Sequence, residues 1–339
     1  MPDSPVQRTS RPWLSILIPV YRVERYLHAC VESVLAQCDR DVEVLLLDDG
    51  SPDRSGDIAV ELALTHPQTV RTIRHATNGG LSAARNALVA EARGDYLWHL
   101  DSDDVLLPGA VARLREVVAT HSPDLVMCDF RVLRNGPAWR QWLRRERHCS
   151  SFDGVSGRVE CDRSQLVAGL MRMRRMHAWT KIARRKVWRR VHFPEGRSLM
   201  QDMAVMPGLV SATQTYIHVD EPWVGYRQHG ESALASPSDA KIGHVLETLK
   251  DLRQGLDHLD ALDQEAAFAM DYFALRTFAW IARKLPAGDG PSALDHACRS
   301  TFRELFPAGC ASVLSGCRAR RWYLRGARLH RSLQRRRWV

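Results

Sequence analysis

No stretch of the 339-residue chain reaches the roughly 18 uncharged apolar residues that a membrane-crossing helix needs. The nearest approach, Ala266 to Leu285, is broken by Asp271, Arg276, Arg283 and Lys284, which suits a buried or surface helix. Met1 to Trp13 carries Pro, Asp, Ser and Arg where an export signal would have an apolar core. The eight cysteines include no C-x-x-C pair and join no Cys/His cluster, so no zinc ligand set is expected. Without an export signal they read as reduced thiols in the cytoplasm. No internal repeat is visible. Residues 318–339 contain no Asp or Glu but nine arginines, and their nine charges account for the whole formal charge of +9. The basic character therefore belongs to the tail and need not describe the body.

What is present is an alternation of strand and helix signals. Leu14 to Ile18 is a short apolar run ending at Pro19, and Val42 to Leu47 is a second one, rich in β-branched residues. Val70 to Arg74, Asp95 to Leu100 and Leu125 to Phe130 read as further strands. Between them, Leu27, Val31 and Val34 keep helical spacing, and helices are expected over Ile58–Thr65, from Gly79-Gly80 to Ala92, and after Pro108. Such alternation predicts a mostly parallel sheet with helices on both faces, and such sheets bind ligands at the carboxyl ends of their strands. Residues 135–195 read as irregular and rich in Arg and Trp. From about Ala240 onward only helical patterns remain, with Val245, Leu249, Leu252, Leu256 and Leu259 in register. The boundaries expected are a catalytic unit over 13–235, a helical region over 236–317 and a basic tail over 318–339.

Two acidic turns follow predicted strands. In Asp101-Ser102-Asp103, carboxylates one residue apart on a turn can converge on a hard cation such as Mg²⁺ or Mn²⁺, which prefers oxygen and also takes phosphate oxygens. Alone the pattern is more often a solvated turn or a helix cap, but its place after a strand, with a second acidic turn in an alternating chain, favours the cation site. Asp48-Asp49-Gly50-Ser51 can accept hydrogen bonds from a base or a ribose, or can simply be a strand-to-helix turn with Ser51 or Asp53 as N-cap. Asn78-Gly79-Gly80 leads into a helix whose first N–H groups could approach phosphate, with Arg85 about a turn inside.

Four motifs occur in order: Ser15-Ile16-Leu17-Ile18-Pro19-Val20-Tyr21, Asp48-Asp49-Gly50-Ser51-Pro52-Asp53, Asn78-Gly79-Gly80-Leu81-Ser82-Ala83-Ala84-Arg85-Asn86 and Leu100-Asp101-Ser102-Asp103-Asp104. In sequence and spacing the chain resembles the family 2 glycosyltransferases of the GT-A fold, strongly over 13–130 and more weakly over 175–235. That resemblance implies a Rossmann-like α/β nucleotide-sugar-binding domain followed by a C-terminal α-helical region. It places donor-nucleotide contacts at Pro19, Tyr21, Asp48, Asp49, Asn78, Arg85, Asp101 and Ser102. Asp103, with Asp101, would ligate Mn²⁺ or Mg²⁺ at the diphosphate. His177-Ala178-Trp179-Thr180-Lys181 resembles an aromatic-Asn-Lys segment of the family, with Thr180 for the usual Asn. Met200-Gln201-Asp202-Met203 resembles its acidic pair, with Gln201 for the usual Glu, so Asp202 stands where the family places its base. Trp179, Lys181, Arg227 and His229 would contact diphosphate or acceptor.

The implied function is inverting transfer of a hexose or N-acetylhexosamine from a UDP-sugar to an acceptor hydroxyl in bacterial surface-polysaccharide synthesis. The acceptor would be a glycan or a lipid-linked glycan. In 318–339, Trp322, Leu329 and Leu333 share a helical face amid arginines, a pattern that suits a helix on an anionic membrane surface. The expectation is a peripheral protein on the inner face of the cytoplasmic membrane. No DNA- or RNA-binding motif accompanies the arginines, so nucleic acid is not the expected partner. A nucleotidyltransferase would more often place a Gly-rich loop with Lys or Arg after the first strand, where Pro19-Val20-Tyr21 stands. A non-catalytic nucleotide-sugar-binding scaffold is the other alternative, which loss of Asp103 or Asp202 would have favoured.

Overall fold

A computed structural model describes residues 11–134, 148–197, 199–228, 238–259, 262–285, 292–336 and 338. Its centre is a twisted sheet whose first four strands are β1 (Leu14–Val20), β2 (Val42–Asp48), β3 (Val70–Arg74) and β4 (Tyr96–His99). They lie in the order β3-β2-β1-β4, all parallel. Each parallel step requires a crossover, and the helices α1 (Leu27–Leu35), α2 (Ser55–Thr65) and α3 (Leu81–Glu91) supply them.

β1 and β2 are buried along their whole length and mostly apolar, because both faces of the sheet are covered. Alternate residues go to different cores. Leu14, Ile16, Ile18 and Val20 of β1, with Val42, Val44 and Leu46 of β2, pack against α1 and α2. Leu17, Leu45 and Leu47 face the opposite way, toward Ala84, Leu88 and Val89 of α3.

Beyond β4 the sheet becomes mixed. The order continues β4-β8-β6-β9-β5, through β8 (Lys181–Arg184), β6 (Leu125–Leu133), β9 (Tyr216–Arg227) and β5 (Val105–Leu106). β8 runs antiparallel to both its neighbours. A two-residue strand, β7 (Val159–Glu160), borders β9. The described part of 135–195 is therefore not irregular. It also contains a helix, Arg163–Met173, started by Asp162, whose side chain accepts the Gln165 N–H. Leu166, Val167, Leu170 and Met171 of that helix are buried.

The C-terminal region is helical, as the sequence implies. Its helices are Asp239–Asp257, Gln264–Lys284, Ala293–Leu305, Ala311–Ala319 and Tyr323–Gln334. The side chains of Ser238, Asp263 and Ser292 cap the first three. The apolar faces of these helices join the cluster on the α3 side of the sheet, so this region shares a core with the nucleotide-binding half. No helix among the described residues is long and apolar enough to cross a membrane.

The tail differs from expectation. Leu329 and Leu333 are buried, and Trp322 packs against Phe268 and Tyr272. The apolar stripe read as membrane-facing is occupied by the protein's own core, because the long helix Gln264–Lys284 offers it a ready partner.

Candidate active site

The carboxyl ends of β1, β2 and β4 open onto a cavity of about 730 Å³, within the range typical of small-ligand sites. Pro19, Tyr21, Asp49, the turn Asn78–Gly80 and Asp101–Asp103 line one side, and Gly196, Arg197, Leu199 and Gln201 line the other. Strand ends in a parallel sheet are where backbone groups and loop side chains converge, which is why the acidic turns meet there.

The front of the site is organised before any ligand arrives. Asp49 Oδ1 accepts the Gly79 N–H at 3.0 Å and faces His75 Nδ1 at 2.7 Å, while Oδ2 accepts the Gly80 N–H at 2.8 Å. The amides expected to approach phosphate are thus engaged by Asp49. Gly50 has φ +67°, and a Cβ there would meet the Thr77 and Asn78 backbone at 3.0 Å, so only glycine lets the two turns touch. Asp48 does not reach the cavity. It is buried, its Oδ1 accepts the Ser51 N–H at 2.9 Å, and Oδ2 lies 3.1 Å from Arg74 Nε.

Arg85, expected among the nucleotide contacts, takes another place. It is buried beneath the cavity and does not line it. Nη2 donates to Asp101 Oδ1 at 2.8 Å, and Nη1 donates to Asp202 Oδ1. Helix α3 and the short helix Gln201–Ala204 are thereby tied through one guanidinium to the acidic turn. Asp202 Oδ2 also accepts the Ala178 N–H at 3.1 Å. Burial alone would push the Asp202 carboxyl up, but the Arg85 charge, His177 and the Ala178 amide outweigh it and hold the group below the usual carboxylate range. Asp101 moves the other way. Burial and its neighbours Asp202 and Asp103 raise it against the pull of Arg85. Two carboxylates on one arginine are thus pushed in opposite directions, Asp202 toward its ionised form.

His99, at the end of β4, lies under this group, edge-on to Trp188 and Phe193. Burial, reinforced by Arg85, lowers it to about 3, so it is neutral and adds no second positive charge beside the guanidinium.

The acidic turn is fixed from behind. Asp104 is buried, and its Oδ1 accepts the Arg227 N–H at 2.8 Å, while Arg227 Nη1 donates to the Asp103 carbonyl at 3.3 Å. Asp101 and Asp103 both face the cavity. Among the described residues no third His, Cys, Asp or Glu completes a metal cluster with them. That donor set fits a Mg²⁺- or Mn²⁺-type ion, which typically binds through one or two carboxylates plus phosphate oxygens and water.

Trp179 and Lys181 are interior residues, not cavity contacts. Trp179 stacks on His177 and on Tyr226, which also stack on each other. Lys181 is fully buried, with Nζ donating to Arg175 O at 3.2 Å and to Thr180 Oγ1 at 2.5 Å, and burial lowers it to about 8. His229 lies outside the described residues. The wall formed by Gly196, Arg197 and Leu199 has no counterpart in the sequence reading. Arg197 reaches Asp251 at 2.6 Å and Glu247 at 3.6 Å on helix Asp239–Asp257, pairs between segments some fifty residues apart. Met200, with φ +63°, adopts the left-handed conformation just before Gln201 and Asp202.

Residues 15–185 match the family model "Glycosyl transferase family 2". The chain belongs to this family. Glycosyltransferase GlyG of Streptococcus pneumoniae is 24% identical over 237 residues, 67% of this chain and 74% of that protein. An uncharacterized glycosyltransferase, EpsJ of Bacillus subtilis, is 41% identical over 119 residues, 35% of this chain and 34% of that one. The chain thus spans about a third of the length of this Bacillus relative. The crystal structure of S. aureus TarS 1-349 in complex with UDP-GlcNAc superposes with a TM-score of 0.66 at 17% identity, covering 89% of this chain and 83% of that chain. This likeness establishes the GT-A fold for this family 2 glycosyltransferase.

Proposed function

We propose that this glycosyltransferase transfers a hexose or N-acetylhexosamine from a UDP-sugar to an acceptor hydroxyl by a single inverting displacement. The observation that carries the reading is Asp202, joined through Arg85 to the acidic turn that lines the cavity, with the guanidinium favouring its ionised form. The acceptor oxygen bonds to the anomeric carbon as the bond from that carbon to the diphosphate oxygen breaks. The acceptor's proton passes to Asp202, and UDP leaves with the bonding pair. Asp103 and Asp101 would hold Mn²⁺ or Mg²⁺, which would supply positive charge to offset that of the departing diphosphate. Tyr21, 41% exposed at the cavity mouth, offers a face for the base. Uridine is supported by the TarS complex with UDP-GlcNAc, whose fold this chain shares. A glycan or lipid-linked glycan acceptor in bacterial polysaccharide synthesis is what the family resemblance and the basic tail imply.

The test is calorimetric binding of UDP and UDP-sugars with Mn²⁺, with Mg²⁺ and with EDTA, followed by the anomeric configuration of the product. Metal-dependent binding lost in Asp103→Ala, and a product inverted at the anomeric carbon, are the expected results. Retention of configuration, or binding indifferent to EDTA and to Asp103→Ala, would overturn the proposal.

A further inference from the structure

Helix Tyr323–Gln334 turns Gly326, Leu329 and Leu333 inward. On its opposite side Leu324, Arg328, Arg331 and Arg335 follow one another at intervals of four, three and four residues, which places them on one stripe. All four are exposed, Leu324 to 75%, and Tyr323 beside it to 62%. Arg318, Arg321 and Arg325 are exposed just before or at the start of the helix.

These arginines differ from the other two described in the tail. Arg320 is bonded to Glu265, and Arg336 donates to the carbonyls of Ala282 and Leu285. Arg318, Arg321, Arg328, Arg331 and Arg335 form no ion pair among the described residues. Arg325 lies against the Trp322 ring, 5.1 Å from its centre. Residues 318–339 supply no acid to neutralise any of them. Guanidinium groups left unpaired on one face create a positive potential that an anionic partner relieves.

The apolar component selects the partner. Leu324 stands at the N-terminal end of the stripe, flanked by the exposed Arg321, Arg325 and Arg328, with a tyrosine next to it. A phosphate backbone offers a leucine nothing, whereas the boundary between lipid headgroups and acyl chains takes leucine and tyrosine while the surrounding arginines meet phosphates. We propose that this outward face, with Leu324 and Tyr323 as its inserting residues, docks on an anionic lipid bilayer. The residues that touch lipid are then the ones opposite Leu329 and Leu333, and docking leaves the packing of the helix undisturbed. The surface is the same whatever sugar the cavity accepts.

The test is flotation of the full chain with vesicles of phosphatidylcholine alone and of phosphatidylcholine mixed with phosphatidylglycerol, beside binding to duplex and single-stranded oligonucleotides. The expected result is binding to the anionic vesicles, weakened by salt and weak on phosphatidylcholine alone. The triple variant Arg328→Gln, Arg331→Gln, Arg335→Gln should bind the anionic vesicles about a hundredfold more weakly, at roughly 1 kcal/mol per arginine near a charged surface. Leu324→Ala should weaken binding severalfold at unchanged charge. Thermal midpoints equal to that of the native chain would show that the helix remains docked, and the single Leu324→Ala variant keeps the test available if the triple variant does not fold. Equal binding to both vesicle types, indifference to both variants, or tighter binding to oligonucleotide than to vesicle would each overturn the proposal.

Discussion

Replacing Arg85 by methionine removes a positive charge shared between Asp101 and Asp202 while keeping most of the side-chain volume. The native arginine is 1% exposed, and its partners are 29% and 23% exposed, so the pairs are only partly screened by water. Breaking a buried pair by deleting one partner costs about 3–5 kcal/mol, and partial exposure of the carboxylates favours the lower end, about 3 kcal/mol. Urea unfolding at neutral pH should register that loss. A second effect is on acidity. Asp202 is held below its ordinary value in the native fold, so its contribution to stability is present above the unfolded value and is lost as pH falls through the folded one. Without Arg85 two neighbouring carboxylates face each other unneutralised, and protonation of the pair begins at higher pH. The acidic limb of kcat/KM for sugar transfer should therefore move upward in Arg85→Met. Arg85→Lys keeps the charge without the fork and should restore the limb in part. A limb that does not move, together with a loss under about 1 kcal/mol, would refute the role given to Arg85 as the link between the two carboxylates.

Asp202→Asn should reduce transfer to background while leaving UDP binding near native by calorimetry; an active variant would remove Asp202 as base. Lys181 is buried and lowered from 10.5 to about 8, so the unfolded chain binds more protons between those values and stability should rise with pH across that window. Lys181→Met should flatten that rise in urea titrations at pH 8 and 10, and an unchanged slope would place the amine in contact with solvent. Leu333→Ala should cost about 2–5 kcal/mol by chemical denaturation, as for a buried leucine. A cost near zero would mean that the last helix is not packed on the core.

The parts of the fold governed by short-range rules were legible in the sequence. β1 and β2 announce themselves by apolar runs ended by turn formers, and Gly50 and Gly80 stand where the backbone takes a positive φ. The cavity's first wall followed from those turns. The other wall did not, because its residues acquire meaning only through distant partners. Arg85 meets Asp202 across 117 positions, and Arg197 meets Asp251 across 54. The insertion of β8 between β4 and β6 is similarly invisible to local pattern, because a four-residue strand carries too little periodicity to state its neighbours. Lys181 was expected at the diphosphate or acceptor because His177–Lys181 resembles a family segment, and such a likeness does not say whether the side chain turns inward. The tail's apolar stripe was read correctly as a stripe, but amphipathicity does not say whether protein or lipid covers it.

The clasp of Arg197 on helix Asp239–Asp257 has a consequence for how this chain can be divided. Composition changes near residue 235, which invites a cut there. The wall of the cavity opposite the nucleotide turns is nevertheless braced by carboxylates on the far side of that cut. The helix Met206–Ala212, which follows Asp202, also packs against Asp239–Asp257. A fragment ending at the compositional break would retain every residue of the four ordered motifs and still lose the brace of one jaw of its vice. In this molecule the unit of inheritance visible in a family match is smaller than the unit of mechanics.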